Sequence, residues 1–251
     1  NNEKDIPENI TILKGEIIEP FGLFRKISGR KQREPLDNIL RVQNKKLSII
    51  DRVGAWIRGN FFIPDARSLW ISPSVRFLKK YLESNSVNAI FTDGPPHTNT
   101  MIGYHLSKDL NIPWLADFQD PWTQVDYLQD FPLTKWAWEM HRKMEQEVFK
   151  QASKITIASP SWKEDLENLG AKNVDVLYYG YDEEDFKGLT KKKEDNKLTI
   201  FHGGLLGFDR FPKVFFESLI TRCLKDSEFS NKLKIVLAGK VDFRIVNYIK
   251  N

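Results

Sequence analysis

Apolar residues along this chain fall into short unbroken runs, separated by stretches in which they recur at helical spacing. Six runs read as strands: residues 87–92 (VNAIFT), 114–116, 154–158 (KITIA), 174–178 (VDVLY), 198–202 (LTIFH) and 233–238 (LKIVLA). They carry little polar alternation, the pattern expected of strands covered on both faces of a parallel sheet. The helices between them have legible ends. Ser72-Pro73 predicts an N-cap and a first-turn proline for a helix running to about Glu83. Thr134 predicts the cap of a second helix, with Trp136, Met140, Met144 and Val148 as its repeating apolar stripe. Ser159 or Ser161 starts a third, which Gly170 ends. This alternation predicts an α/β fold with a doubly wound parallel sheet.

One break in composition divides the chain. Residues 187–197 (KGLTKKKEDNK) hold five lysines and a single aliphatic residue, and read as an exposed linker. The expected organisation is a first domain over 1–186, a linker over 187–197 and a second α/β unit over 198–251. That last unit has only two strands, too few for a stable parallel sheet alone. Either it continues past Asn251 or its strands join the first sheet.

Composition narrows the class. The 251 residues are 41% hydrophobic and 29% charged, which is globular usage. The net charge of +4 is too dilute over this length to imply nucleic acid. Cys223 is the only cysteine, so an intrachain disulfide framework and a cysteine zinc site are excluded. No apolar run approaches the ~20 residues that span a bilayer. The opening Asn1-Asn2-Glu3-Lys4 is no signal peptide and lacks an initiating methionine, so we expect a cytoplasmic protein whose natural N-terminus lies upstream. Aromatic residues reach 12%, a content that suggests exposed clefts or a membrane-facing surface as well as a core.

Ligands of open α/β sheets bind beyond the carboxyl ends of strands, so the loops there carry the candidate chemistry. In His202-Gly203-Gly204-Leu205-Leu206-Gly207-Phe208-Asp209-Arg210-Phe211-Pro212, Gly203 and Gly204 follow a strand and would let backbone N–H groups approach a phosphate. Pro212 fits the first turn of the next helix, and Arg210 could add a charge-assisted fork. A tight strand-to-helix turn explains the same residues equally well. The loop is neither a Walker loop nor GxGxxG, which lowers ATPase and NAD readings.

In Asp93-Gly94-Pro95-Pro96-His97-Thr98-Asn99-Thr100 the prolines force a turn that puts His97, Thr98 and Asn99 on a helix's first turn. There they could donate to an anion or a sugar hydroxyl, although a cluster capping its own helix is the more economical reading. Asp117-Phe118-Gln119-Asp120-Pro121-Trp122 offers two carboxylates three apart, with Trp122 as a sugar platform or, more commonly, a core residue. Two carboxylates do not make an oxygen cage, so no metal is expected. Phe21, Phe24 and Ile27 lie on one helical side beside Arg25, Lys26, Arg30, Lys31 and Arg33. Such a basic amphipathic element suits anionic lipid, while a solvated helix with a buried stripe is its bland counterpart. His105, His141 and His202 lack metal-ligand spacing and, like Cys223, are expected to be structural. Ser159-Pro160-Ser161 is not a nucleophile elbow.

Residues 145–186 (EQEVFKQASKITIASPSWKEDLENLGAKNVDVLYYGYDEEDF) resemble the middle of the retaining GT-B glycosyltransferases of family 4. The Gly203-Gly204 loop with Arg210 is similar to the start of that family's donor-binding domain. PPHTNTMIG and DFQDPW are similar to its bacterial polysaccharide-synthesis branch. Three positions depart from the pattern: Tyr179 replaces asparagine, Ser153 replaces aspartate and Gln119 replaces arginine. The family's opening glycine-rich loop and its acidic donor-gripping segment have no counterpart in these residues, which leads us to expect an internal fragment.

The resemblance implies a GT-B type fold, a Rossmann-like doubly wound parallel sheet with an incomplete second Rossmann-like domain. It implies metal-independent, retaining transfer of a sugar from a nucleotide-sugar donor to a glycan or lipid-linked acceptor in cell-envelope or exopolysaccharide synthesis, in a cleft between the domains. Gly203, Gly204 and Arg210 would hold the donor diphosphate, and His97 and Asp120 would serve catalysis on the acceptor side. No cofactor is implied. Peripheral contact with the inner face of the plasma membrane would run through Arg25, Lys26, Arg30, Lys31 and Arg33. The rival readings are a nucleotide-sugar epimerase of the same fold and a non-catalytic membrane-associated binding module.

Overall fold

The computed structural model describes residues 7, 9–15, 49–125, 128, 131–188 and 196–250. The basic segment with Arg25, Lys26, Arg30, Lys31 and Arg33, and residues 189–195 of the predicted linker, lie outside them. Among the described residues, those up to Gly180 form one compact unit and those from Tyr181 a second.

In the first unit the apolar runs become β1 (Ile90–Gly94), β2 (Trp114–Phe118), β3 (Lys154–Ile157) and β4 (Val174–Val176). They form one parallel sheet in the order β1-β2-β3-β4, with Thr92 opposite Ala116, Ala116 opposite Ile155 and Ile155 opposite Val174. Helices α1 (Ile49–Phe61) and α2 (Ile71–Leu82) precede the sheet. The crossovers are α3 (His97–Leu110), α4 (Lys135–Gln151) and α5 (Pro160–Asn168). α2 packs on α3, α3 on α4, and α1 on α4. Trp114, Ala116, Phe118, Ile155, Ile157 and Val174 meet Met101, Tyr104, Val148, Phe149 and Leu166 in a single buried layer.

The opposite face corrects the expectation of two-sided cover. Phe91 is 61% exposed, Asp93 and Asp175 are exposed, and Leu115 and Asp117 are half-buried. Strands added in sequence order through right-handed crossovers put successive helices on one face, and among the described residues this sheet has its helical layer there only. Across the other face runs a polar row from Asp93 through Asp117 and Thr156 to Asp175.

Several boundaries move from their predicted places. β1 begins three residues after Val87 and ends at Gly94. α2 starts at Ile71 from a 3-10 turn, Ser68–Trp70, so Ser72 and Pro73 lie inside its first turn. Thr134 does cap α4, accepting from the Ala137 N–H at 3.2 Å. The buried stripe of α4 is nevertheless Ala137, His141, Glu145 and Val148, while Trp136 is 60% exposed. Ser159 is the N-cap of α5, and Gly170, at φ +99°, ends that helix while the Ala171 N–H reaches the Leu166 carbonyl at 3.0 Å.

In the second unit β5 (Leu198–Gly203) and β6 (Leu233–Ala238) pair in parallel as their own two-stranded sheet and do not join the first. α6 (Lys213–Lys225), α7 (Ser227–Lys232) and α8 (Phe243–Lys250) accompany them. Pro212 is the N-cap of α6 rather than part of its first turn. Burial here is confined to a few side chains, chiefly Leu206, Phe216, Asp242 and Ile245. The molecule is therefore an α/β protein of parallel strands.

Candidate functional site

The carboxyl end of β1 is held tightly against α3. A Cβ on Gly94 would lie 2.7 Å from Thr100 Oγ1 and 3.4 Å from His97 Nδ1, so only glycine lets the strand end meet the helix there. α3 has no side-chain cap of its own. Asp65, in the turn ahead of the Ser68–Trp70 helix, accepts from Thr98 N at 2.7 Å and from Thr98 Oγ1 at 2.8 Å. That carboxylate occupies the positive end of α3 and satisfies its exposed donors. The Thr98 donors expected to be open to an anion are thus engaged. Asn99 Nδ2 donates to the Asp93 carbonyl at 3.3 Å.

His97 turns inward and is 5% exposed. Its ring stacks on Trp122 at 4.3 Å between centroids with a 4° interplanar angle, and tilts against Phe118 at 5.6 Å. Neither ring nitrogen has a protein partner, and the buried Thr100 hydroxyl has none either. Burial, with a smaller contribution from His141, pushes the His97 pKa down to about 3. The imidazole is therefore neutral, with one N–H and one lone pair to offer.

At the end of β2 and beyond it the chain is anchored at Asp117, Gln119, Trp122 and Thr123. The Thr156 hydroxyl donates to Asp117. Gln119 N donates to the Gly94 carbonyl at 2.8 Å, and Gln119 Nε2 to Asp93 Oδ1 at 2.6 Å. Asp120 is half-buried and Pro121 buried. Trp122 Nε1 donates to His141 Nδ1 at 3.1 Å, and Thr123 donates through N (3.1 Å) and Oγ1 (2.6 Å) to the two oxygens of Glu145. Trp122 is 1% exposed, so it is a core residue and not an open sugar platform. Its indole N–H finds an acceptor inside, which makes that depth tolerable.

Burial lowers the His141 pKa to about 4 against the opposing charge of Asp65, and raises that of Glu145 despite its bonds from Thr123. The exposed Tyr179 hydroxyl donates to the Gln119 carbonyl at 3.1 Å. Its pKa is raised by burial, then by the charges of Asp120, Asp117 and Asp93.

Asp65, His141 and Glu145 are participants that sequence reading missed or treated as filler. His141 and Glu145 carry a signal in the sequence, because Ala137, His141, Glu145 and Val148 repeat at helical spacing as well as Trp136, Met140, Met144 and Val148 do. Asp65 left no signal, since its partner Thr98 is 33 residues away.

In the second unit Gly203 closes β5, and Gly204 follows at φ +123°, where an added Cβ would meet nothing within 4 Å. The Gly204 N–H, expected to face a phosphate, donates instead to the Ala238 carbonyl at 2.8 Å. A Cβ on Gly239 would strike the Gly204 carbonyl. Leu206 N donates to Lys240 O and Asp242 N to Leu206 O, both at 2.9 Å, which ties the loop to the end of β6. Asp242 is 1% exposed and accepts from Arg244 N (2.8 Å), Nε (3.0 Å) and Nη2 (2.8 Å), which hold its pKa down. The Arg244 guanidinium also lies over Phe208 at 4.2 Å. Arg210 is exposed on the 3-10 turn Phe208–Arg210.

The expected residues thus fall into two sets. His97 and Asp120 share the carboxyl edge of the first sheet, His97 inward and Asp120 toward the surface, while Gly203, Gly204 and Arg210 share one loop of the second unit. Among the described residues no group of three or more His, Cys, Asp or Glu side chains could hold a metal ion. No described helix is long and apolar enough to cross a membrane. Compared with known protein families and with curated proteins, the chain matches no family model and shows no significant similarity to a curated protein.

Proposed function

We propose that the protein transfers a sugar from a nucleotide-sugar donor to a glycan or lipid-linked acceptor, with the donor diphosphate at the Gly203-Gly204-Arg210 loop and the acceptor at the carboxyl edge of the first sheet. The observation that carries this reading is the trio of buried polar atoms without protein partners, His97 Nδ1, His97 Nε2 and Thr100 Oγ1, at the strand ends where α/β proteins take ligands. An unmet polar atom at this depth costs about 1–3 kcal/mol, a cost that a functional site tolerates more readily than a packed core. The motif order from PPHTNTMIG to the glycine-rich loop supports the same class. GT-B architecture and retention of configuration belong to this proposal.

The test incubates the full-length protein with labelled UDP- and GDP-sugars and a membrane lipid extract. Label moving into lipid or polymer is expected, with Arg210→Ala lowering that turnover at least about tenfold, roughly 1.4 kcal/mol of transition-state stabilisation. Release of free nucleotide and an epimerised sugar without acceptor would identify an epimerase instead. Absence of any donor turnover, with binding to anionic liposomes that needs Arg25, Lys26, Arg30, Lys31 and Arg33, would leave the binding module.

A further inference from the structure

Resting on the reading of Asp120 as an acceptor-side group, we infer that Glu145 and His141 of α4 are positioning residues that fix the Asp120-bearing segment from beneath. The two side chains stand one helical turn apart on the buried stripe of α4 and grip consecutive residues: His141 takes the Trp122 indole N–H at 3.1 Å, and Glu145 takes both donors of Thr123. Upstream, Gln119 is pinned by its N–H to Gly94 and its amide to Asp93. Only Asp120 and Pro121 lie between the two anchors, and the proline ring removes φ freedom from one of them. The backbone position of Asp120, and with it the point from which its carboxylate projects, is therefore set by the anchors on either side.

His97 completes the hold. Its ring covers one face of Trp122, so displacement of Trp122 would disturb His97 as well as Asp120. A carboxylate buried to 1% exposure costs free energy that an apolar side chain of similar size would not. What Glu145 supplies in return is a single loop geometry, because its two oxygens accept the Thr123 N–H and O–H together. This arrangement couples the residue pattern of α4 to the placement of a group three positions upstream of Thr123.

The test measures amide hydrogen exchange in the full chain for Glu145→Ala, Glu145→Gln and Thr123→Val. Glu145→Ala is expected to speed exchange at residues 119–123 at least about tenfold while α4 amides keep their protection. Glu145→Gln should restore the protection, because its amide can accept from the Thr123 N–H and donate to a reoriented hydroxyl. Thr123→Val, which keeps the N–H bond and side-chain volume, should fall between and serves if Glu145→Ala does not fold. Unchanged exchange at 119–123 in Thr123→Val and Glu145→Ala, or a Gln variant that behaves as the Ala variant, overturns the assignment.

With whichever labelled nucleotide sugar the wild type turns over, Glu145→Ala and Thr123→Val should lower kcat with the donor KM unchanged; a rise in donor KM alone would also overturn it. A wild type that turns over none of the UDP- or GDP-sugars sinks the glycosyltransferase reading, and the exchange pattern still decides whether α4 sets the segment.

Discussion

The two units are built from the same strand-helix-strand grammar and hold together differently. The first stacks four strands against a helical layer and fills the space with Trp114, Phe118, Ile155, Ile157 and Leu166, each at 1% exposure or less. Its carboxyl-edge loops are then fixed by buried polar groups, Asp65 on Thr98, His141 on Trp122 and Glu145 on Thr123. Among its described residues the second has two strands, few buried apolar side chains, and a loop tied by the Asp242–Arg244 pair and the contact of Gly239 with Gly204. Where apolar area is plentiful, polar groups can be buried to specify a loop. Where it is scarce, backbone bonds and the Asp242–Arg244 pair hold the loop.

Acid should break this contrast most severely. His97 and His141 titrate at about 3 and about 4 in the folded protein, against 6.5 unfolded. Their neutral burial adds stability that is full above pH 6.5 and is lost as pH falls toward those values, because the unfolded chain takes up the protons first. The slope is about 1.4 kcal/mol per pH unit for each histidine, so urea unfolding at pH 7, 6, 5 and 4.5 should show a steep decline in the first unit. Glu145 acts in the opposite sense, its raised pKa returning some stability once it protonates. A double His97→Phe, His141→Gln variant should flatten the profile; a slope that stays would assign the acid sensitivity elsewhere.

Core truncation separates the units next. Phe118→Ala should cost about 3–5 kcal/mol in the first unit, as for a fully enclosed ring. Phe216→Ala in the second, where the ring keeps 8% exposure in a thin layer, should cost less because its surroundings can collapse inward. Equal losses in denaturant titrations followed by unit-resolved hydrogen exchange would mean that the second unit is packed as firmly as the first. Smallest is Asp242→Ala, expected to cost about 1–3 kcal/mol by leaving loop donors unmet and to raise exchange at residues 206–210 only.

The strand runs are legible because a short run dominated by β-branched and other apolar residues between turn signals favours a strand even where, as in β5 and β6, none of its residues is fully buried. Each of the six runs contains or overlaps a strand, and β6 coincides with its run at Leu233–Ala238. Caps made by neighbours in sequence, such as Thr134 and Gly170, were legible for the same local reason. The burial of α4 was misread by one position, because Trp136, Met140 and Met144 look apolar while His141 and Glu145 do not. Which of two adjacent stripes turns inward depends on what waits there, and here Trp122 and Thr123 present three hydrogen-bond donors. The depth of Trp122 agrees with the commoner core reading, but it is set by His97 and His141, which come from α3 and α4, so the local sequence leaves the platform open as well.

The sequence by itself determined the alternation of strands and helices and the glycines at strand ends, since each follows from local sterics or from the period of apolar residues. Tertiary structure alone decided the strand order, the one-sided helical layer and the inward turn of His97. It also decided the pairing of Asp65 with Thr98 and of Glu145 with Thr123, residues 33 and 22 positions apart. Those outcomes depend on which polar groups must find partners once the apolar face is closed, and the identity of the partner is a property of the packed chain.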